Sequence, residues 1–169
     1  MKQVKWFDRK FEFTHNADIF PSIVERLKGT PVRLTEKISK MPKSILEEKP
    51  ENKWSVKEHI GHLIDLETLW QGRLEDILNG EEFLRPTDLE NKKTDEGNHN
   101  KKSVKSLLDS FRKIREKTIA DMEKLTETQI LQTALHPRLK TPMRAIDLFL
   151  FVAEHDDHHL VSMQEILKN

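Results

Sequence analysis

Leu148-Phe149-Leu150-Phe151-Val152-Ala153-Glu154-His155-Asp156-Asp157-His158-His159 reads in helical period, and its reading decides the fold. Ala145, Leu148, Phe149, Val152, Met163, Ile166 and Leu167 recur at helical spacing, and His155 and His159 fall inside the same apolar stripe. Residues four apart on a helix stack on one face with Cβ atoms roughly 5–6 Å apart, close enough for two imidazoles to share one metal ion. His158 falls outside the stripe, nearer the solvent edge. Two core-directed rings without partners would be costly, because each has two nitrogens to satisfy. A metal ion with a third ligand from another helix would satisfy them, so the remaining chain must supply both the packing partners and that ligand.

The chain has 169 residues, enough for one domain with a substantial core. Its 29 basic and 29 acidic residues cancel, which removes any bulk electrostatic case for binding nucleic acid or an anionic membrane. There is no cysteine, hence no disulfide framework and no thiolate nucleophile or ligand, which suits a reducing cytoplasm. Met1-Lys2-Gln3-Val4-Lys5-Trp6-Phe7-Asp8 lacks the apolar run of a signal peptide, and no stretch approaches the apolar length of a membrane span. The expectation is a soluble, cytoplasmic protein. Only 5 glycines and 7 prolines, with no alternating β-branched runs and no hairpin dipeptide between apolar strands, predict an all-α chain without sheet.

Residues 1–17 carry Trp6, Phe7, Phe11 and Phe13 among charges and read as an extended lead-in that packs its aromatics on the domain formed by residues 18–169. Ile19, Phe20, Ile23, Val24 and Leu27 open an amphipathic helix. Thr30 is placed as an N-cap and Pro31 as a first helical residue, so this helix is expected to break or kink near residue 30 before Leu34 and Ile38 continue it. Ser55 with Glu58 three residues on forms a capping box for a second helix, with core residues Val56, Ile60, Leu63, Trp70, Leu74 and Ile77, that stops at Asn79-Gly80. Residues 81–100 read as a long loop, a lid or a disordered segment more mobile than the helices. Val104, Leu107, Leu108, Phe111, Ile114, Thr118, Met122 and Leu125 form the cleanest stripe and a third helix. Thr126-Glu127 restart a short turn, residues 132–141 read as loop, and Pro142 begins the last helix. Four main helices give a four-helix bundle.

The second helix offers two inward histidines as third ligand. His59 lies nearer the centre of the apolar face, whereas His62 lies at its rim, roughly 100° away, where a solvent-reachable pocket would form. The pattern leaves the choice between them open. His15, His99 and His136 read as incidental, with His99 in the long loop able to reach the site.

Trp54-Ser55, Glu58, His62-Leu63, Glu67 and Arg73 resemble the W-S-x-x-E-x-x-x-H-L…E…R segment of the DinB/YfiT-like superfamily. The terminal His155-x-x-x-His159, followed by Gln164-Glu165-Ile166, is similar to that family's closing H-x-x-x-H segment, and Leu27 to Leu34 resemble its first-helix break. One departure is visible: Gln164 follows His159 by five residues, where many members place a glycine-glutamine pair three to four residues on. The resemblance spans residues 18–167 and implies an up-down-down-up bundle with a divalent metal on His62, His155 and His159. It also implies an enzyme, since the family includes thiol S-transferases, thiol-dependent isomerases and metal-dependent hydrolases.

Three neutral histidines suit zinc, nickel or iron(II), and three protein ligands leave a position open to water or substrate, as catalytic sites do. Any nucleophile would be exogenous. A small thiol cosubstrate attacking an electrophilic small molecule is the first expectation, and hydrolysis by activated water the second. A third is a metal-binding stress-response bundle without turnover, a homodimer whose exposed helix faces bind a partner. Glu58, one turn from His62, and Asp156, in the position of the zincin glutamate, are the candidate proton-transfer groups. Glu67 and Arg73 are expected to contact other helices, His59 and His158 to stand outside the ligand set, and Trp70 and Phe111 to belong to the core.

Overall fold

A computed structural model describes residues 3–51 and 53–167. Six α-helices are present among the described residues: α1 (Phe20–Ser39), α2 (Val56–Leu78), α3 (Lys92–Glu96), α4 (Val104–Met122), α5 (Glu127–Leu131) and α6 (Ala145–Ile166). The four long ones build the bundle, α1 and α2 each packing against both α4 and α6. Their directions follow from cross-helix pairs. Lys37 donates to Gln164 and Arg26 to Glu154, so α1 and α6 run parallel. His59 meets His159 while His62 meets His155, so α2 and α6 run antiparallel. Residues 56–63 share a cluster with Leu107 and Phe111, and residues 70–77 share one with Ile119 and Met122, so α2 and α4 are parallel. The order is up-down-down-up, with consecutive α1 and α2 placed diagonally.

The start of α2 is dictated locally. Ser55 Oγ accepts from the Glu58 N–H at 3.1 Å while the Glu58 carboxylate accepts from the Ser55 N–H at 2.9 Å, the reciprocal capping box expected from the sequence. At its far end Gly80 takes φ +72°, the left-handed conformation that stops the helix.

The core has two apolar halves. One holds Leu27, Trp70, Met122, Phe149 and Val152, the other Leu34, Ile60, Leu63, Phe111 and Met163. On each long helix the two are separated by a buried polar residue: Thr30 on α1, Glu67 on α2, Arg115 on α4 and Asp156 on α6. Arg115 donates to Glu67 at 2.5 and 2.8 Å and to Asp156 at 2.6 and 3.1 Å, and the Thr118 hydroxyl donates to the other Glu67 oxygen at 2.5 Å. Glu67 therefore contacts another helix, as expected.

Two expectations are corrected. Helix α1 does not break at residue 30: Pro31 lies inside it, and the Thr30 hydroxyl donates back to the Arg26 carbonyl at 3.3 Å instead of capping a new helix. Leu27 and Leu34, both fully buried, anchor one face of the helix in the two core halves, and this burial holds the axis through a proline that costs about 3 kcal/mol in an unsupported helix. The chain also contains a small antiparallel sheet, β1 (Thr133–Leu135) and β2 (Pro142–Arg144). Pro142 therefore opens a strand, where its missing N–H does least harm, and α6 begins at Ala145 with the Asp147 carboxylate accepting from the Arg144 N–H. Three-residue strands are too short to show an alternating pattern.

The segment between α2 and α4 is sewn to α2. Leu84, Thr94 and His99 are buried, and Arg85 bonds Asp76 through its backbone N–H and its guanidinium. A Cβ at Gly61 would stand 2.1 Å from the His99 ring, so glycine is what lets this loop lie against the helix. In the lead-in, Trp6, Phe11 and Phe13 pack on the core while Phe7 stays exposed. Met1, Lys2, Asn52, Lys168 and Asn169 lie outside the described residues. None of the helices is long and apolar enough to cross a membrane.

Candidate metal centre

Antiparallel packing of α2 on α6 brings together the three histidines singled out in the sequence. His155 Nε2 lies 3.1 Å from His159 Nε2 and 3.4 Å from His62 Nε2, and one ring nitrogen of each lies within 4.8 Å of the other two. Zinc–nitrogen bonds of about 2.0–2.1 Å in tetrahedral geometry set two ligand nitrogens roughly 3.3 Å apart, so the spacing fits a single ion.

The proton positions fit as well. His62 Nδ1 lies 3.0 Å from Thr94 Oγ1, whose hydroxyl donates to Asp65 Oδ2 at 3.2 Å; the same carboxylate oxygen faces His99 Nε2 at 2.9 Å. A hydroxyl that donates to a carboxylate must accept from the imidazole, so His62 carries its proton on Nδ1 and turns the Nε2 lone pair toward His155 and His159. His159 Nδ1 meets His59 Nδ1 at 2.8 Å, giving that ring an outer partner too, whereas His155 Nδ1 is buried without one among the described residues. Burial, reinforced by the neighbouring imidazoles His59 and His99, holds His62 down to about 3, and burial, with His158, holds His59 down to about 4. His155 and His159 are likewise pushed well below their ordinary value by burial first and by the surrounding imidazoles second. All four are neutral at pH 7, the protonation state of a metal ligand.

The acids of the Glu154–His159 stretch are all engaged elsewhere. Asp156 spends its carboxylate on Arg115. Glu154 pairs with Arg9 and Arg26, and Asp157 with Arg26 and Arg33. Burial alone would raise the Glu154 carboxyl, but Arg26 and Arg9 outweigh it and hold it below the usual range. On α2, Glu58 is taken by the Ser55 N–H and by Lys49 at 2.8 Å.

The histidines line a cavity of about 630 Å³. Trp54 stands 4.5 Å from the His62 ring, Trp6 5.0 Å and Trp70 5.8 Å from the His155 ring, measured between centroids. Trp70 is thus both core and cavity wall, while Phe111 is core alone. Arg73, His136 and His158 also line the cavity, and His158 is half-buried. His99 does not reach the metal cluster; it holds the loop against α2 through Asp65. Sequence reading missed Thr94 and Asp65, which orient His62, because isolated threonines and aspartates in polar segments carry no pattern. It also missed His136, which the hairpin brings in from a region read as loop.

The sequence profile of the DinB superfamily matches residues 26–163. Three solved chains are similar in structure. One is YfiT from Bacillus subtilis, described as a probable metal-dependent hydrolase with an unusual four-helix bundle topology. It is 21% identical, superposes with a TM-score of 0.76, and the match covers 95% of this chain and 92% of that one. No curated protein sequence matches the chain.

Proposed function

The chain belongs to the DinB superfamily, and on that premise we propose that His62, His155 and His159 hold one divalent metal ion at which a small thiol is transferred to an electrophilic small molecule. The observation that carries this reading is the convergence of three neutral imidazoles whose Nε2 atoms face one another, with the His62 tautomer set by Thr94 and Asp65. When bound, zinc, nickel or iron(II) supplies a Lewis-acidic position that lowers the pKa of a coordinated thiol or water.

The chain's own residues do the remainder. Trp6, Trp54 and Trp70 wall the cavity with apolar surface that excludes water and packs on an acceptor. His59 accepts from or donates to His159 and keeps that ring in place. Glu58 and Asp156 serve the helix cap and the buried ion pair, so neither is free to take a proton from a nucleophile. This favours a thiol, which needs no dedicated base once coordinated, over water, which benefits from one. Hydrolysis keeps one support, the description attached to the similar YfiT fold. A thiol donor suits a reducing, cytoplasmic setting.

The test starts from protein purified without an affinity tag and loaded with zinc, nickel or iron(II). Wild type and His158→Ala are expected to hold one ion per chain, and His155→Ala none. Unchanged metal content in His155→Ala would sink the ligand assignment. The loaded protein is then offered an epoxide or a haloarene with a panel of small thiols. Ester or amide hydrolysis without any thiol-dependent consumption would reverse the order of the two reactions.

A further inference from the structure

Arg73 is 2% exposed, yet only its Nε has a hydrogen-bond partner among the described residues, the Arg85 carbonyl at 3.1 Å; Nη2 is buried with none. A buried guanidinium without a carboxylate partner is costly, and Arg115 in the same protein has two. The nearby acid Asp76 is taken by Arg85. Arg73 lines the cavity, its Cζ 5.6 Å from the Trp70 ring centroid, and the same ring stands 5.8 Å from that of His155 in the histidine cluster.

His136 is the second donor. The backbone N–H groups of Arg138 and Leu139 both point at its Nδ1, at 3.3 and 3.2 Å. Nδ1 must therefore accept, and the neutral ring carries its proton on Nε2. Burial, and then the positive charges of Arg73 and Arg138, hold His136 down to about 4, so it stays neutral at pH 7 and adds a donor without a charge. Burial also brings Arg73 down, to about 10, which leaves it protonated at neutral pH. The cavity's two acids are remote in role: the Asp88 carboxylate accepts from the Glu90 and Lys92 N–H groups, and Glu165 neighbours His158.

We propose that Arg73 and His136 form an anion subsite of this cavity, and that the substrate or cosubstrate is a carboxylate whose apolar part lies along Trp70 toward the three histidines. One buried positive charge with one neutral donor matches a monoanion; Arg138 also lines the cavity but is exposed, so water screens the charge it could set against a phosphate dianion. The assignment of this carboxylate to a reacting molecule rests on the metal-site reading above, whereas the anion subsite itself does not.

Benzoate, benzamide and phenyl phosphate are the probes, titrated into metal-free and zinc-loaded protein and followed by the indole fluorescence of the cavity tryptophans. Benzoate is expected to bind both forms, with its neutral isostere benzamide about tenfold or more weaker, as the loss of a charge-assisted bond requires. Arg73→Gln should abolish that preference while zinc content and thermal midpoint stay near wild type, and Arg73→Lys should restore it only in part. Equal binding of benzoate and benzamide to wild type overturns the subsite without recourse to any variant. So does tighter binding of phenyl phosphate, or benzoate binding that vanishes in metal-free protein and in His155→Ala. Arg73-dependent benzoate binding in protein that fails to take up zinc would leave the subsite standing and remove the metal reading alone.

Discussion

His155 and Asp156 are consecutive on α6, and each belongs to a buried polar cluster shared with α2. The cluster at Asp156 is closed: Arg115 lies between two carboxylates, and Thr118 takes an oxygen that Arg115 leaves. The cluster at His155 is open: three ring nitrogens face one another with no opposite charge between them, and His155 Nδ1 has no partner among the described residues. Both are almost wholly shielded from solvent. The difference is that the first joins opposite charges with matched donors and acceptors, whereas the second sets neutral imidazole nitrogens against one another.

Acid should separate the clusters most strongly. The unfolded chain protonates its histidines near 6.5, whereas folded His59 does so only near 4 and His62 near 3. The native state then binds fewer protons, so the stability these rings contribute is fully present above pH 6.5 and declines as the pH falls toward the folded values. Each ring costs up to about 1.4 kcal/mol per pH unit within its window. Urea unfolding of metal-free protein at pH 7.5, 6 and 5 checks this, and a flat profile would mean that the imidazoles are not buried neutral. Next in size is Arg115→Met, which leaves Glu67 and Asp156 without their cation and should cost about 3–5 kcal/mol in urea unfolding. A loss below about 1 kcal/mol would show that the closed cluster is not a unit. Smallest is Thr94→Val, which removes the oxygen that orients His62. Metal affinity is expected to fall about 10–100-fold, measured by competition with a chromophoric chelator, while unfolding of the metal-free protein moves by about 1 kcal/mol. Unchanged affinity would mean that Thr94 does not fix the ring.

Much of this was legible in the sequence wherever one local rule acted alone. The Ser55–Glu58 box opens α2 as expected, Gly80 ends it, and the α4 stripe lies where its period puts it. Legibility failed where distant residues decide. Pro31 reads as a helix start, yet Leu27 and Leu34 bury the helix on both sides of it. The β1–β2 hairpin has strands of three residues and is completed by Leu84, whose N–H donates to the Leu135 carbonyl at 2.9 Å from a distant segment. At the site, periodicity brought His155 and His159 together but left His59 and His62 undecided, and the structure shows why: both are buried, and His59 touches the cluster through His159. Direction of a ring nitrogen, which separates the two, is set by Thr94, and no helical wheel of α2 contains it.

The diagonal placement of α1 and α2 has a kinetic consequence. No two consecutive long helices form an antiparallel hairpin, so no pair can zip together across a short turn. The parallel contact of α1 with α6 joins segments more than a hundred positions apart, as Arg26 and Asp157 illustrate with a separation of 131. Such topology raises the relative contact order for a helical chain and slows its search, because loop-closure entropy must be lost before the distant contacts return any energy. The histidine cluster, shared by α2 and α6, can then form only after synthesis has passed His159 and the bundle has closed.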